Sequence, residues 1–228
     1  MPATEQDYNN AGVVYMRAGY FRVAWDLFKG ALELHLAKEQ KRANPDVVLS
    51  KMSEKFIQRA DTWYQRLVSS DLFEDAEEKF SPMLTSEHGE DEYFCHLFLF
   101  RDPVEIPGDI PELDKSSFSG LTIILNLALL EHCRNPWSKQ VVGLYKLAAS
   151  LLSGKSSEAG LEIHIINNAG VWYHQNGNVS VAEKYMDRLA EISRTVHLGS
   201  WVTPEVVGGL SFNLEWFANP RYKVSPAA

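Results

Sequence analysis

The chain has 228 residues, 45% of them hydrophobic, and carries 22 Lys and Arg against 30 Asp and Glu for a formal charge of -8. That composition supports a sizeable core, as one domain or as a continuous stack of small units. The acidic balance speaks against nucleic acid, whose phosphates are bound by a surplus of cations. No apolar run approaches the roughly 20 residues that span a membrane, and the N-terminus lacks the basic-then-apolar order of a secretion signal. The expectation is an intracellular protein, cytoplasmic or nuclear, with no membrane partner. Two cysteines, Cys95 and Cys133, build no disulfide framework and fit a reducing compartment.

In chain order, the first predicted element is a helix in which Tyr8, Ala11, Gly12 and Tyr15 share one face. Gly12 lets a neighbouring helix approach, and Gly19 marks the turn. A second helix follows with Phe21, Ala24, Phe28 and Ala31 on its stripe, so residues 4–37 read as a helical hairpin packed small against large. An insertion spans 44–117. It begins with a long amphipathic helix over 45–69 and a shorter one over 72–80, followed by an acidic loop at 86–92. The texture then changes. Residues 93–111, "YFCHLFLFRDPVEIPGDIP", are rich in aromatics, largely apolar on both alternating faces over Tyr93–Phe100, and end in prolines, which predicts an extended strand that must satisfy its backbone elsewhere. It pairs with 82–86 as a hairpin, lies along a groove of the helical stack, or joins a second copy of the chain as a homodimer through Tyr93–Pro111.

A degenerate hairpin follows at 119–152, with Asn126 and Ala128 in the slots of Asn10 and Gly12, and Pro136 placed to begin its second helix. Residues 160–193 form the last unit. Its "NNAGVWYHQNGNVSVA" at 167–182 matches "NNAGVVYMRAGYFRVA" at 9–24 in nine of sixteen positions, 158 residues apart. Here Gly170, Tyr173, Gly177 and Ala182 stand where Gly12, Tyr15, Gly19 and Ala24 stand in the first. A capping helix over 203–218, with Thr203 as its cap and Pro204 at its first position, closes the domain at 218, and 219–228 is a flexible tail.

Tyr8, Gly12, Tyr15, Gly19, Ala24, Phe28 and Ala31 resemble the tetratricopeptide repeat. The resemblance implies an all-α superhelix of helical hairpins, here with insertions and without the family's usual proline after each second helix. It further implies a non-catalytic protein-interaction module that takes a protein or peptide partner in its concave groove. Groove-facing slots fall on Gln6, Asn9, Val13, Met16 and Arg17 in the first unit, on His132 in the middle one, and on His164, Asn167, Val171, His174 and Gln175 in the last. With Arg17 the one cation among them, a basic clamp for a peptide C-terminal carboxylate is disfavoured. Asn10, Asn126 and Asn168 share one slot. Their amides either grip a peptide backbone or bond between repeats, and because Asn is common at this slot in the family, the second reading is favoured and they join the packing set.

An acid/base site around His132 and His174, oriented by Glu131 or Glu162, is the enzymatic alternative. No nucleophile or phosphate-cradling motif accompanies it. Cys95-His96 and His132-Cys133 have the right atoms for zinc, but adjacent side chains diverge on a helix or strand, so neither pair chelates readily. No catalytic residue, metal or cofactor is assigned.

Overall fold

The computed structural model describes residues 3–42, 97–110, 112–155, 158–195 and 204–219. The expected helices over 45–69 and 72–80, the acidic loop, the first four residues of the aromatic segment and residues 220–228 lie outside the described residues.

Seven helices make up the described structure: α1 Glu5–Arg17, α2 Phe21–Arg42, α3 Glu112–Arg134, α4 Lys139–Ala149, α5 Ala159–Gln175, α6 Val179–Thr195 and α7 Pro204–Ala218. The fold class is all-α. Among the described residues there is no strand, so the expectation of a strand or hairpin is corrected for residues 97–110: they run extended with a bend at Asp102 and a turn at Gly108 and Asp109. Their backbone is satisfied by side chains, as described below. No helix among the described residues is long and apolar enough to cross a membrane.

Local chemistry accounts for the helix ends. Thr4 and Asp7 form a capping box at the start of α1. In α4 the helix starts at Lys139 with the Ser138 side chain as its cap, so Pro136 lies in the preceding turn and does not open the helix as expected. The two echoed stretches end their first helices identically. Tyr20 N–H donates to Tyr15 O and Gly19 N–H to Met16 O, while Asn178 N–H donates to Tyr173 O and Gly177 N–H to His174 O. Gly19 and Gly177 sit at φ 82° and 76°, the left-handed turn that a side chain would strain.

The helices pack in consecutive pairs, α1 on α2, α3 on α4 and α5 on α6, with α2 on α3, α4 on α5 and α6 on α7 joining them. Small residues set the closest approaches. A methyl group on Gly12 would stand 2.6 Å from the Phe28 ring, and one on Gly170 would stand 2.5 Å from the Met186 methyl. Ala24, Ala128 and Ala182 are fully buried, and Tyr8 packs across Gly30. Tyr173 is wedged against Tyr185. Tyr15 departs from the expectation of packing: it is 42% exposed and rests edge-on against Tyr20, because its position on α1 faces solvent beside the turn.

Two apolar clusters result. One joins α1–α5, with Leu161, Ile165, Ala169 and Trp172 supplied by α5, and includes Ile106; the other joins α5–α7, with Ile163, Ile166 and Val171 supplied by α5, and includes Leu97 and Phe100. The extended segment therefore contributes one end to each cluster.

Candidate functional site

A side-chain amide carries one acceptor oxygen and one NH2 donor on the same carbon, so it can answer both the N–H and the C=O of a single extended residue. Four asparagines do this in sequence. Asn213 accepts from Phe98 N–H at 2.7 Å and donates to Phe98 O at 2.8 Å. Asn168 holds Phe100 at 3.0 and 2.9 Å. Asn126 holds Val104 at 2.8 Å in both directions. Asn10 holds Ile106 at 2.8 and 3.0 Å. The rungs come from α7, α5, α3 and α1, so the segment runs from α7 back to α1.

Asn9 and Asn167 buttress this ladder in matching ways. Asn9 donates to Val104 O and accepts from Asn126, and Asn167 donates to Phe98 O and accepts from Asn213. Each doublet also shares an internal bond, Asn9 to Asn10 and Asn167 to Asn168. Asn9, Asn126, Asn167, Asn168 and Asn213 are fully buried. Asn10, Asn126 and Asn168 thus meet both expectations for their slot within the chain: each grips the backbone of the chain's own extended segment, and Asn126 and Asn168 also bond between units, to Asn9 and to the Tyr145 hydroxyl. Asn213 was missed by sequence reasoning. Its signal is faint, an Asn-Leu pair like Asn126-Leu127 on a helix that carries no other part of the echo.

The ladder skips residues 101–103, where the chain bends. There Arg17 takes over, with Nε on Asp102 at 2.8 Å, Nη1 on Glu105 at 2.7 Å and Nη2 on Pro103 O at 3.3 Å. Bonding to the two carboxylates raises the Arg17 pKa, with burial working against it. Gln6 adds a second donor to Ile106 O at 3.1 Å. Val13 and Met16 are buried in the cluster that holds Ile106, and Val171 in the cluster that holds Leu97 and Phe100. These three are core residues in the folded chain. The His164 ring lies 3.9 Å from the Phe100 ring.

The remaining groove candidates sit elsewhere. His132 is buried, with Nδ1 3.1 Å from Tyr145 Oη and Nε2 3.3 Å from Gln175 Oε1. His174 packs against Trp216 and Phe217 of α7. His132 and His174 thus face different neighbours, and Glu131 and Glu162 pair with Arg134 and Arg188. Burial pulls His132 and His164 down to about 4 and lowers His174 as well. Tyr145 closes a relay. With Nε2–H donating to Gln175, His132 Nδ1 accepts the Tyr145 hydroxyl proton, and that hydroxyl oxygen accepts from Asn168 Nδ2 at 3.2 Å. The neutral imidazole is thus wired to the Phe100 rung.

Among the described residues no group of three or more His, Cys, Asp or Glu is placed to hold a metal ion. Cys95 and His96 lie outside the described residues. No family model matches the chain, and no curated protein or solved structure is significantly similar to it.

Proposed function

We propose that the chain is a non-catalytic protein-interaction module, a tetratricopeptide-like stack whose groove binds extended peptide backbone, and that its own residues 97–110 occupy that groove until a partner replaces them. The observation that carries this reading is the ladder. Four amides, each making a two-point grip on one residue, recognise backbone rather than side chain. Such a surface is suited to any extended segment of compatible side chains. The neutral, hydrogen-bonded state of His132 and the packing of His174 among rings support a structural role for both.

Affinity capture with the tagged full chain tests this through two variants with opposite expected effects. Phe98→Ser/Phe100→Ser weakens the internal occupant and is expected to increase partner recovery. Adding Asn10→Ala/Asn168→Ala to that background removes rungs and is expected to abolish recovery, with circular dichroism reporting that helix content is kept. Identical recovery by wild type and both variants would sink the groove reading.

A further inference from the structure

The ladder reads backbone, so selectivity has to come from the places where the side chains of the bound segment go. Those places differ along the groove. At the α7 end, the Phe98 ring lies over Gly209, so closely that a methyl group there would collide with it. Phe100 is 4% exposed and is sandwiched between the His164 ring at 3.9 Å and Phe98 at 5.0 Å. Flat rings fit this end. At the α1 end, Ile106 is 1% exposed inside the α1–α5 cluster, and Val104 packs partly buried against it. Branched aliphatic side chains fit here. Between the two ends, Arg17 faces outward and takes Asp102 and Glu105 together.

Spacing adds a constraint. Rungs are two residues apart within each end, 98 to 100 and 104 to 106, but four apart across the middle, where Asp102 forms the bend. An extended residue advances about 3.3 Å, so 98 to 106 covers at most roughly 27 Å over three helix-to-helix steps, close to the 8–10 Å spacing of packed helices. A two-residue step alone, about 6.6 Å, would fall behind the helices. The four-residue step restores the register.

Resting on the module reading above, we infer that the partner segment has the chemistry of this pattern: two aromatic residues two positions apart, an acidic residue at a bend two positions later, then two branched aliphatic residues two positions apart with an acid between them. Its backbone runs from α7 to α1, and residues 97–110 are its competitor in cis. The occupant is a segment of another protein.

The probe is a fluorescein-labelled peptide of residues 97–106, LFLFRDPVEI, titrated by anisotropy into the full chain carrying Phe98→Ser/Phe100→Ser. Binding should be saturable and at least about tenfold tighter than to the wild-type chain, whose own segment competes at an effective concentration on the order of millimolar. Arg17→Glu in the same background should weaken the probe by roughly threefold to fivefold, the range of an exposed ion pair. A probe with Asp102→Lys and Glu105→Lys should recover that loss. If the double variant loses helical signal, Phe98→Ser alone is used, since that ring is only half buried. No binding by a folded weakened chain, equal binding of a scrambled probe, or indifference to Arg17→Glu overturns the pattern. Ladder-dependent capture of partners without probe binding refutes the pattern and leaves the module reading standing, whereas loss of both removes the module reading too. A wild-type dimer by light scattering that Phe98→Ser/Phe100→Ser dissociates would place a second copy's segment in the groove and also overturn the inference.

Discussion

Asparagine at the rung positions is a matter of reach and atom count. Its amide offers one acceptor and two donor hydrogens, which lets Asn168 serve Phe100 N–H, Phe100 O and the Tyr145 hydroxyl oxygen together. The four rungs are not equally replaceable. Ile106 O also accepts from Gln6, Val104 O from Asn9, and Phe98 O from Asn167. Among the described residues Phe100 O has Asn168 as its one donor. Asn168→Ala therefore leaves a buried N–H and C=O without partners, each costing about 1–3 kcal/mol. The expected loss is about 2–6 kcal/mol, and Asn10→Ala should cost clearly less because Gln6 remains on Ile106 O. Urea denaturation of the two variants checks the order, and an equal loss would mean that the rungs do not act as separate two-point grips.

At the scale of elements, the ladder explains why the chain repeats itself in its first and last units and not in the middle one. Asn9 and Asn10 on α1 work with Asn126 on α3 to hold 104–106, and Asn167 and Asn168 on α5 work with Asn213 on α7 to hold 98–100. The unit of repetition is a doublet helix followed by a single-Asn helix, used twice. Packing within the doublet units rests on glycine. Gly12→Ala raises helix propensity by about 1 kcal/mol but puts a methyl group 2.6 Å from the Phe28 ring, which is fully buried and has no open side to move toward. Overpacking of about 1–3 kcal/mol meets or exceeds that gain, so a net loss of up to about 2 kcal/mol is expected. Phe28→Leu should recover part of it, and thermal melts of the single and double variants check the coupling. Such contacts were legible in the sequence because they are local: Gly12, Gly19, Gly170 and Gly177 announce themselves by periodicity and by the echo. The partner of the asparagines was not legible in the same way. Phe98 and Asn213 meet across 115 positions, and Asn10 and Ile106 across 96, so no spacing rule connects them. The aromatic segment did show that it needed partners for its backbone. Its alternation suggested a strand, whereas side chains on four helices supply the bonds that a neighbouring strand would have made.

On the scale of the whole molecule, the segment joins α5 in tying the two apolar clusters together, and buried histidines beside it make that tie sensitive to acid. His132 is wired to the Phe100 rung through Tyr145 and Asn168, and His164 stacks on Phe100 itself. Burial lowers both to about 4; Arg101 lowers His132 further while Gln175 opposes, and Asp102 opposes the shift of His164. An unfolded histidine titrates near 6.5, so between about 6.5 and 4 the unfolded chain binds protons that the folded chain does not. Stability from these groups is therefore present above about pH 6.5 and is lost as the pH falls toward 4. Glu5 works in the same direction: burial pushes it up, but His35 and Lys38 outweigh burial and hold it low, so protonating it also weakens the fold. Glu131, raised by burial against the pull of Arg134 and Ser138, works in the opposite direction and stabilises slightly on acidification. From pH 7 to pH 5 the two histidines together should remove about 4 kcal/mol. Protonating His132 also places a second donor at Tyr145, whose hydroxyl oxygen already accepts from Asn168, so the loss should concentrate on the Phe100 end of the segment. Urea midpoints measured across this range should fall steeply in the wild type, while His132→Gln/His164→Phe should flatten most of the slope. A profile as steep in that variant would assign the acid sensitivity to the carboxylates instead.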